Sequence, residues 1–168
     1  GAEVVDSVEI PQLHELLAKR SGSPTSADEA FKLYYGRSTK RPFETRQEAM
    51  ASPEFAKVHR FAHNRWNASR DAGKHYEYLL ARETLMGNLL KVMADHRLDA
   101  LVHKSVEHQP TLIADGLGPP WVNMRGVPHI NTFLIFVSSV VVPGGFTRDG
   151  LPAGITFLGR PYDDGRMI

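Results

Sequence analysis

Val142-Pro143-Gly144-Gly145-Phe146-Thr147 and, one residue later, Asp149-Gly150-Leu151-Pro152-Ala153-Gly154 decide how the fold reads. Gly145 and Gly150 supply positive φ or close backbone approach, and Pro143 and Pro152 bound strands by withholding N–H donors. Just before this block, Phe133 to Val142 is apolar and rich in β-branched residues. It reads as a central strand buried on both faces and ended by Pro143-Gly144-Gly145. Asp149-Gly150 is a turn signal, and Gly154 to Gly159 reads as the next strand, ended by Gly159-Arg160-Pro161. Asp163-Asp164 is then expected to cap a helix cut off at Ile168.

Upstream, the strongest periodicity spans Lys74 to His96. Tyr78, Leu79, Leu85, Met86, Leu89, Leu90, Val92 and Met93 form an apolar stripe, and Arg82, Glu83, Lys91 and Asp95 hold the other face. The methionines in it read as core filler. Leu98 to Val102 follows as a short buried strand, the αβ connection of an α/β sheet. Gly116-Leu117-Gly118-Pro119-Pro120 reads as the loop between it and the strand from Phe133.

The N-terminal part is expected to be mainly helical. Glu3 to Ile10 alternates weakly and predicts a short strand; Leu13, Leu16 and Leu17 then take helical spacing up to Arg20. After a loop at residues 21–26, Ser26 and Glu29 fit a capping box for a helix with Phe31, Leu33 and Tyr34 as its apolar contacts. A polar excursion over residues 36–52 holds a short helix at Arg46 to Met50. Ser52 as N-cap and Pro53 at the first position open a helix carrying Phe55, Val58, Phe61, Ala62 and Trp66. The fold class is therefore α/β, one domain over 1–168, with 1–98 mainly helical and 99–168 forming strands of a mixed central sheet.

Composition excludes several classes of function. With 42% hydrophobic and 23% charged residues, the 168-residue chain resembles a soluble globular domain. A formal net charge of +1 gives no reason to expect nucleic acid or a membrane as partner. The basic cluster Arg37-Ser38-Thr39-Lys40-Arg41 reads as a solvated loop. The absence of cysteine removes thiol catalysis and cysteine-ligated zinc and is compatible with a cytoplasmic setting. No apolar run approaches bilayer-spanning length. The start at Gly1, without methionine or the features of a targeting peptide, raises the expectation that a segment precedes it.

Asp99-Ala100-Leu101-Val102, Pro110, Asn131-Thr132-Phe133-Leu134, the block from Val142 to Gly154 and Leu158-Gly159-Arg160-Pro161 follow in fixed order. This order resembles the C-terminal portion of the amidase-signature family. The resemblance is close over 99–168 and weaker but compatible over 1–98. It departs from the pattern at Lys104-Ser105, where the family typically has proline and threonine, at Ser138, often proline there, and at Gly144, often alanine.

The resemblance implies hydrolysis of amide or ester bonds by a serine nucleophile, a second serine in a cis peptide and a lysine base. The glycine-serine-rich segment that would carry these groups is absent from the chain, so no catalytic residue is assigned. Ser138-Ser139 are the only adjacent serines; they lack glycine neighbours, and their hydroxyls are expected to bond locally to backbone. Lys104-Ser105 reads either as drift or as a functional novelty.

His103, His108 and His129 lack a recognised zinc spacing, and His59 and His63 share a helix face without a third ligand, so no metal is assigned. Gly116 and Gly118 lack the context of a dinucleotide loop, and no cofactor is expected. If an amide pocket is completed elsewhere, it would lie near the carboxyl ends of the strands. Trp121 and Asn131 are the substrate-binding candidates there.

Two functions follow. One is a C-terminal fragment or subunit of an amidase-signature hydrolase cleaving carboxylic amide C–N bonds. Its expected partners are a catalytic N-terminal segment or subunit and a small amide substrate. The alternative is a non-catalytic, amidase-like binding or interaction module. Under either, the apolar strand before Pro143 is expected to leave a sheet edge open to oligomerisation.

Overall fold

The apolar stripe on the long helix is where the core forms. The computed structural model describes residues 1–21, 27–58, 71–106, 109–118, 130 and 137–168. Along these run helices α1 (Leu13–Ala18), α2 (Ala27–Tyr35), α3 (Arg46–Ala51) and α4 (Ala72–Asp95), strand β1 (Leu101–Lys104), helix α5 (Ile113–Leu117), strands β2 (Val137–Phe146) and β3 (Pro152–Pro161), and helix α6 (Asp164–Met167). Helices and an antiparallel sheet make a mixed α/β fold, as the sequence predicts. The chain divides into two compact units. One joins Gly1–Arg20, Tyr76–Gln109 and Gly126–Ile168; the other joins Ser21–His75 and Pro110–Arg125.

In the first unit, Ala81, Leu85, Leu89 and Met93 of α4 enclose Leu158 of β3, which is only 2% exposed. Burying one such leucine contributes roughly 1.5–3 kcal/mol. Ile10, Leu13, Leu16, Leu17, Leu98 and Leu101 pack around this cluster. The N-terminal segment does not form the expected strand over Glu3 to Ile10. Its backbone pairs with no strand among the described residues, Val4 is exposed, and Ser7 and Gln12 take positive φ. Ile10 in the core and the Pro11 carbonyl, which accepts from Asn88 Nδ2 at 2.8 Å, anchor it instead.

Strand β1 begins three residues later than the sequence predicts, for a clear reason. Arg97 adopts φ 53°, its N–H donates to Ala94 O, and the Leu98 N–H reaches back to Met93 O at 2.8 Å. This is a Schellman cap, in which Leu98 also meets Met93 in the core. Leu98 thus ends the helix, and the strand starts only at Leu101.

The sheet order is β1-β3-β2, all antiparallel. The expected central position of the strand before Pro143 is therefore corrected: among the described residues β3 is central and β2 lies at the edge. Nor does Pro143-Gly144-Gly145 end β2; it forms a bulge inside it, with Pro143 opposite Gly154, Gly145 opposite Ala153, and Gly145 at φ 110°. The turn itself reads as expected. Thr147 O accepts from Gly150 N, Gly150 takes φ 75°, and Thr147 N closes the ladder on Leu151 O at 2.8 Å. That is a three-residue hairpin loop with a glycine bulge.

The ladder fixes which way each backbone group points. Ser105 N donates to Gly154 O, so Gly154, Thr156 and Leu158 address β1, whereas Ile155 and Phe157 address β2. On β2, Val140 and Val142 face β3, while Ser139, Val141 and Pro143 turn outward. Proline is tolerated there because an outward N–H is not part of the ladder.

In the second unit, Asp28 at the start of α2 accepts from Arg46 Nε at 2.5 Å and from Gln47 Nε2 at 3.1 Å on α3. Phe31 and Tyr35, the inner residues of α2, stack at 4.7 Å, whereas Leu33 and Tyr34, expected as contacts, are exposed. Thr45 Oγ1 caps α3 through Glu48 N, and Glu48 Oε2 accepts from Glu44 N. Thr45 and Glu48 carry the spacing of a capping box, a signal present in the sequence. Ser52 Oγ accepts from Phe55 N at 3.3 Å, as expected of a cap, but it opens a single 3₁₀ turn, Phe55–Lys57. The expected loop at Gly116 to Pro120 is instead the last turn of α5 up to its cap at Gly118. Ser26, the continuation of the Ser52 helix with Phe61, Ala62 and Trp66, and Pro119-Pro120 lie outside the described residues.

Arg97 holds a left-handed conformation that costs an L-residue about 1–2 kcal/mol. Arg97→Gly relieves this strain while keeping the cap, so thermal unfolding should shift upward, equivalent to a net gain of about 0.5–1 kcal/mol.

Candidate functional site

The end of β1 meets the middle of β3 around a pair of hydroxyls. Ser105 Oγ lies 2.7 Å from Thr156 Oγ1, and Thr156 is fully buried. Opposite residues of an antiparallel pair share a face, so Leu101, His103 and Ser105 stand with Leu158, Thr156 and Gly154. Gly154 is required in this layer. A Cβ there would sit 2.8 Å from Ser105 Oγ and 3.0 Å from Val141 Cγ1.

Successive strand residues point to opposite faces, which separates Lys104 from Ser105. Lys104 stands opposite Ile155 on the other face, while Ser105 spends its hydroxyl on Thr156. The two side chains are therefore not arranged as base and nucleophile. His103 Nδ1 approaches Lys104 O at 2.7 Å, which makes Nδ1–H the donor in that contact. Further along, Gln109 Nε2 donates to Asp149 Oδ2 at 2.6 Å and ties the segment after β1 to the hairpin turn. The constellation can donate and accept hydrogen bonds.

Ser138 behaves differently from its expectation. It is only 5% exposed, and its hydroxyl has no partner among the described residues, so it does not bond to local backbone. It stands at a second bulge, where Gly159-Arg160 of β3 faces the single Ser138 of β2. Met167 of α6 fills the space that a side chain at residue 159 would need: a Cβ there would lie 2.8 Å from Met167 Sδ. Ser139, its neighbour, is exposed on the strand.

At Asp28, Arg41 and Glu44 the charge perturbation runs in the direction of ion pairing. The hydrogen bond from Arg46 holds Asp28 below the usual carboxylate range, and that from Arg41 does the same for Glu44. Arg41 is raised by the Glu44 hydrogen bond. Carboxyls pushed down in this way stay ionised, the opposite of what a general acid requires.

Trp121 and Asn131, the substrate-binding candidates, lie outside the described residues, as do His59, His63, His108 and His129. Among the described residues no group of three or more histidine, aspartate or glutamate side chains converges as metal ligands would. No helix among them is long and apolar enough to cross a membrane. The Ser105–Thr156 pair carries no signal in the sequence; its partners are 51 residues apart, and strand pairing brings them together.

Comparison with known proteins gives one line of likeness. Over 99 residues, 58% of its length, the chain is 27% identical to the urea amidolyase of Lachancea kluyveri. The matched chain spans about 5% of the length of that relative. No protein-family model matches the chain, and no solved structure matches it.

Two substitutions check this geometry. Ser138→Ala removes a buried hydroxyl without a bond and should raise stability by about 1 kcal/mol, measured by urea unfolding. Gly154→Ala forces Ser105 and Val141 apart and should cost roughly 1–3 kcal/mol, with weakened exchange protection at the Ser105 amide.

Proposed function

We propose that this chain is the C-terminal, sheet-forming part of an amidase-like hydrolase that cleaves carboxylic amide C–N bonds, with its serine-lysine machinery in another segment. The observation that carries this reading is the likeness to urea amidolyase, a protein named for splitting an amide. The ordered glycine-proline block adds to it. Gly145 and Gly150 of that block take positive φ, as a scaffold role requires, and they contribute no acid, base or nucleophile. In this reading Trp121 and Asn131 remain the candidates for contact with a small amide.

A specific observation also favours the second reading, a non-catalytic binding or interaction module. Lys104 and Ser105, which depart from the family pattern, stand on opposite faces of β1 and compose no substitute catalytic pair.

Hydrolysis assays separate these readings. The purified chain, given urea, a simple aliphatic amide and an aryl amide, should release no ammonia or amine above background. Supplying a polypeptide that carries a glycine-serine-rich segment and its lysine should generate turnover if the chain is part of an enzyme. A module would leave that mixture as inactive as the second polypeptide alone. Turnover by the chain alone, abolished by substituting one of its own side chains, defeats both.

A further inference from the structure

We propose that the outer edge of β2 between Val137 and Pro143 is a self-pairing site, where the same segment of a second copy of this chain adds as an antiparallel strand. This inference is independent of the hydrolase reading, because it rests on the ladder alone.

The two edges of the sheet differ. On β1 only Val102 and Lys104 turn their backbone outward. That edge is four residues long, carries a lysine, and has its Lys104 carbonyl engaged by the His103 imidazole. Short length, charge and an occupied carbonyl all discourage strand addition. The β2 edge has none of these protections over its first half. Val137 to Phe146 contains no charged residue, and the Ser139 and Val141 backbones face outward. Val141 is 59% exposed, so its flank is open.

Pro143 limits the site. Its outward position lacks an N–H, and the bulge at Gly144 breaks the spacing immediately beyond. An added strand can therefore engage the donors of Ser139 and Val141 and the carbonyl of Pro143.

The same segment in a two-fold arrangement meets that pattern. Setting Ser139 opposite Val141 of a second copy, and Val141 opposite its Ser139, satisfies each outward donor and acceptor of both residues. Pro143 of one copy then falls opposite Val137 of the other, where the Pro143 carbonyl accepts from the Val137 N–H and the Val137 carbonyl, without a donor from proline, turns to water at the end of the paired segment. Val140 meets its own counterpart on the axis, an apolar pair with no charge to oppose it. The formal net charge of +1 offers little long-range repulsion between copies. Across the joined sheets, Val140, Val142, Ile155 and Phe157 line one apolar face.

Sedimentation velocity of the full chain over a wide concentration range tests this. The expected result is reversible doubling of mass, with the Ser139 and Val141 amides gaining hydrogen-exchange protection as the dimer forms. Val141→Pro removes an outward N–H that the intramolecular ladder does not use, and should weaken the dimer at least about tenfold. Val141→Lys, which sets two like charges diagonally across the axis, should weaken it while leaving the thermal transition of the monomer in place. Val102→Lys on the opposite edge should change nothing. A chain that stays monomeric throughout, or a dimer indifferent to both Val141 variants, or one dissociated equally by Val102→Lys, overturns the proposal.

Discussion

The burial of Leu158 against α4 is the contact on which the first unit depends. Without it the sheet would have no layer beneath it, because Ala81, Leu85, Leu89 and Met93 would face water and the hairpin would carry its apolar residues unsupported. Isolated hairpins are marginal in water, so β2 and β3 persist because β3 is pinned at this point. The same contact explains why β3 and not β2 is central. The strand that holds Leu158 must lie over the helix, and its two neighbours then pair on either side. Leu98, turned inward by the Schellman cap, and Leu101 complete the seam between helix and strand.

Local chemistry was legible in the sequence, and pairing order was not. α4 was evident from its stripe, and the hairpin turn from Asp149-Gly150, because each depends on residues within a few positions of one another. The run before Pro143 was misplaced for a physical reason. An apolar, β-branched segment resembles a buried strand wherever it sits, and only its partners decide whether it is central. Pro143 carried a usable signal, since proline inside a strand argues for an edge. Glu3 to Ile10 has the alternation of a strand but pairs with no strand among the described residues. Leu98 had the composition of a strand, but the left-handed Arg97 before it committed it to the end of a helix.

The candidate site shows the same division. That Lys104 and Ser105 cannot cooperate follows from strand geometry once β1 is placed. That Ser105 binds Thr156 follows only from a register spanning most of the C-terminal third. Ser138 is the clearest departure from expectation. A hydroxyl in an apolar strand usually finds a carbonyl nearby, yet here it is buried at a bulge, opposite Gly159-Arg160. The perturbed charges, Asp28, Arg41 and Glu44, belong to surface pairs in the other unit and describe helix anchoring. The likeness to urea amidolyase adds a chemical direction that none of these groups supplies by itself.

The hairpin loop at Thr147 to Leu151 also sets an order of events. Its ladder closes across five residues, whereas β1 must find β3 across a separation of 51. Hairpins of this kind form in about 1–10 μs, and the longer closure carries a larger entropic cost. Newly made chains therefore pass through an interval in which β2 and β3 are joined while β3 still has its other side bare. During that interval the open edges are those of β2 and β3, and the arrival of β1 replaces the bare side of β3 with an edge that carries a lysine and an engaged carbonyl.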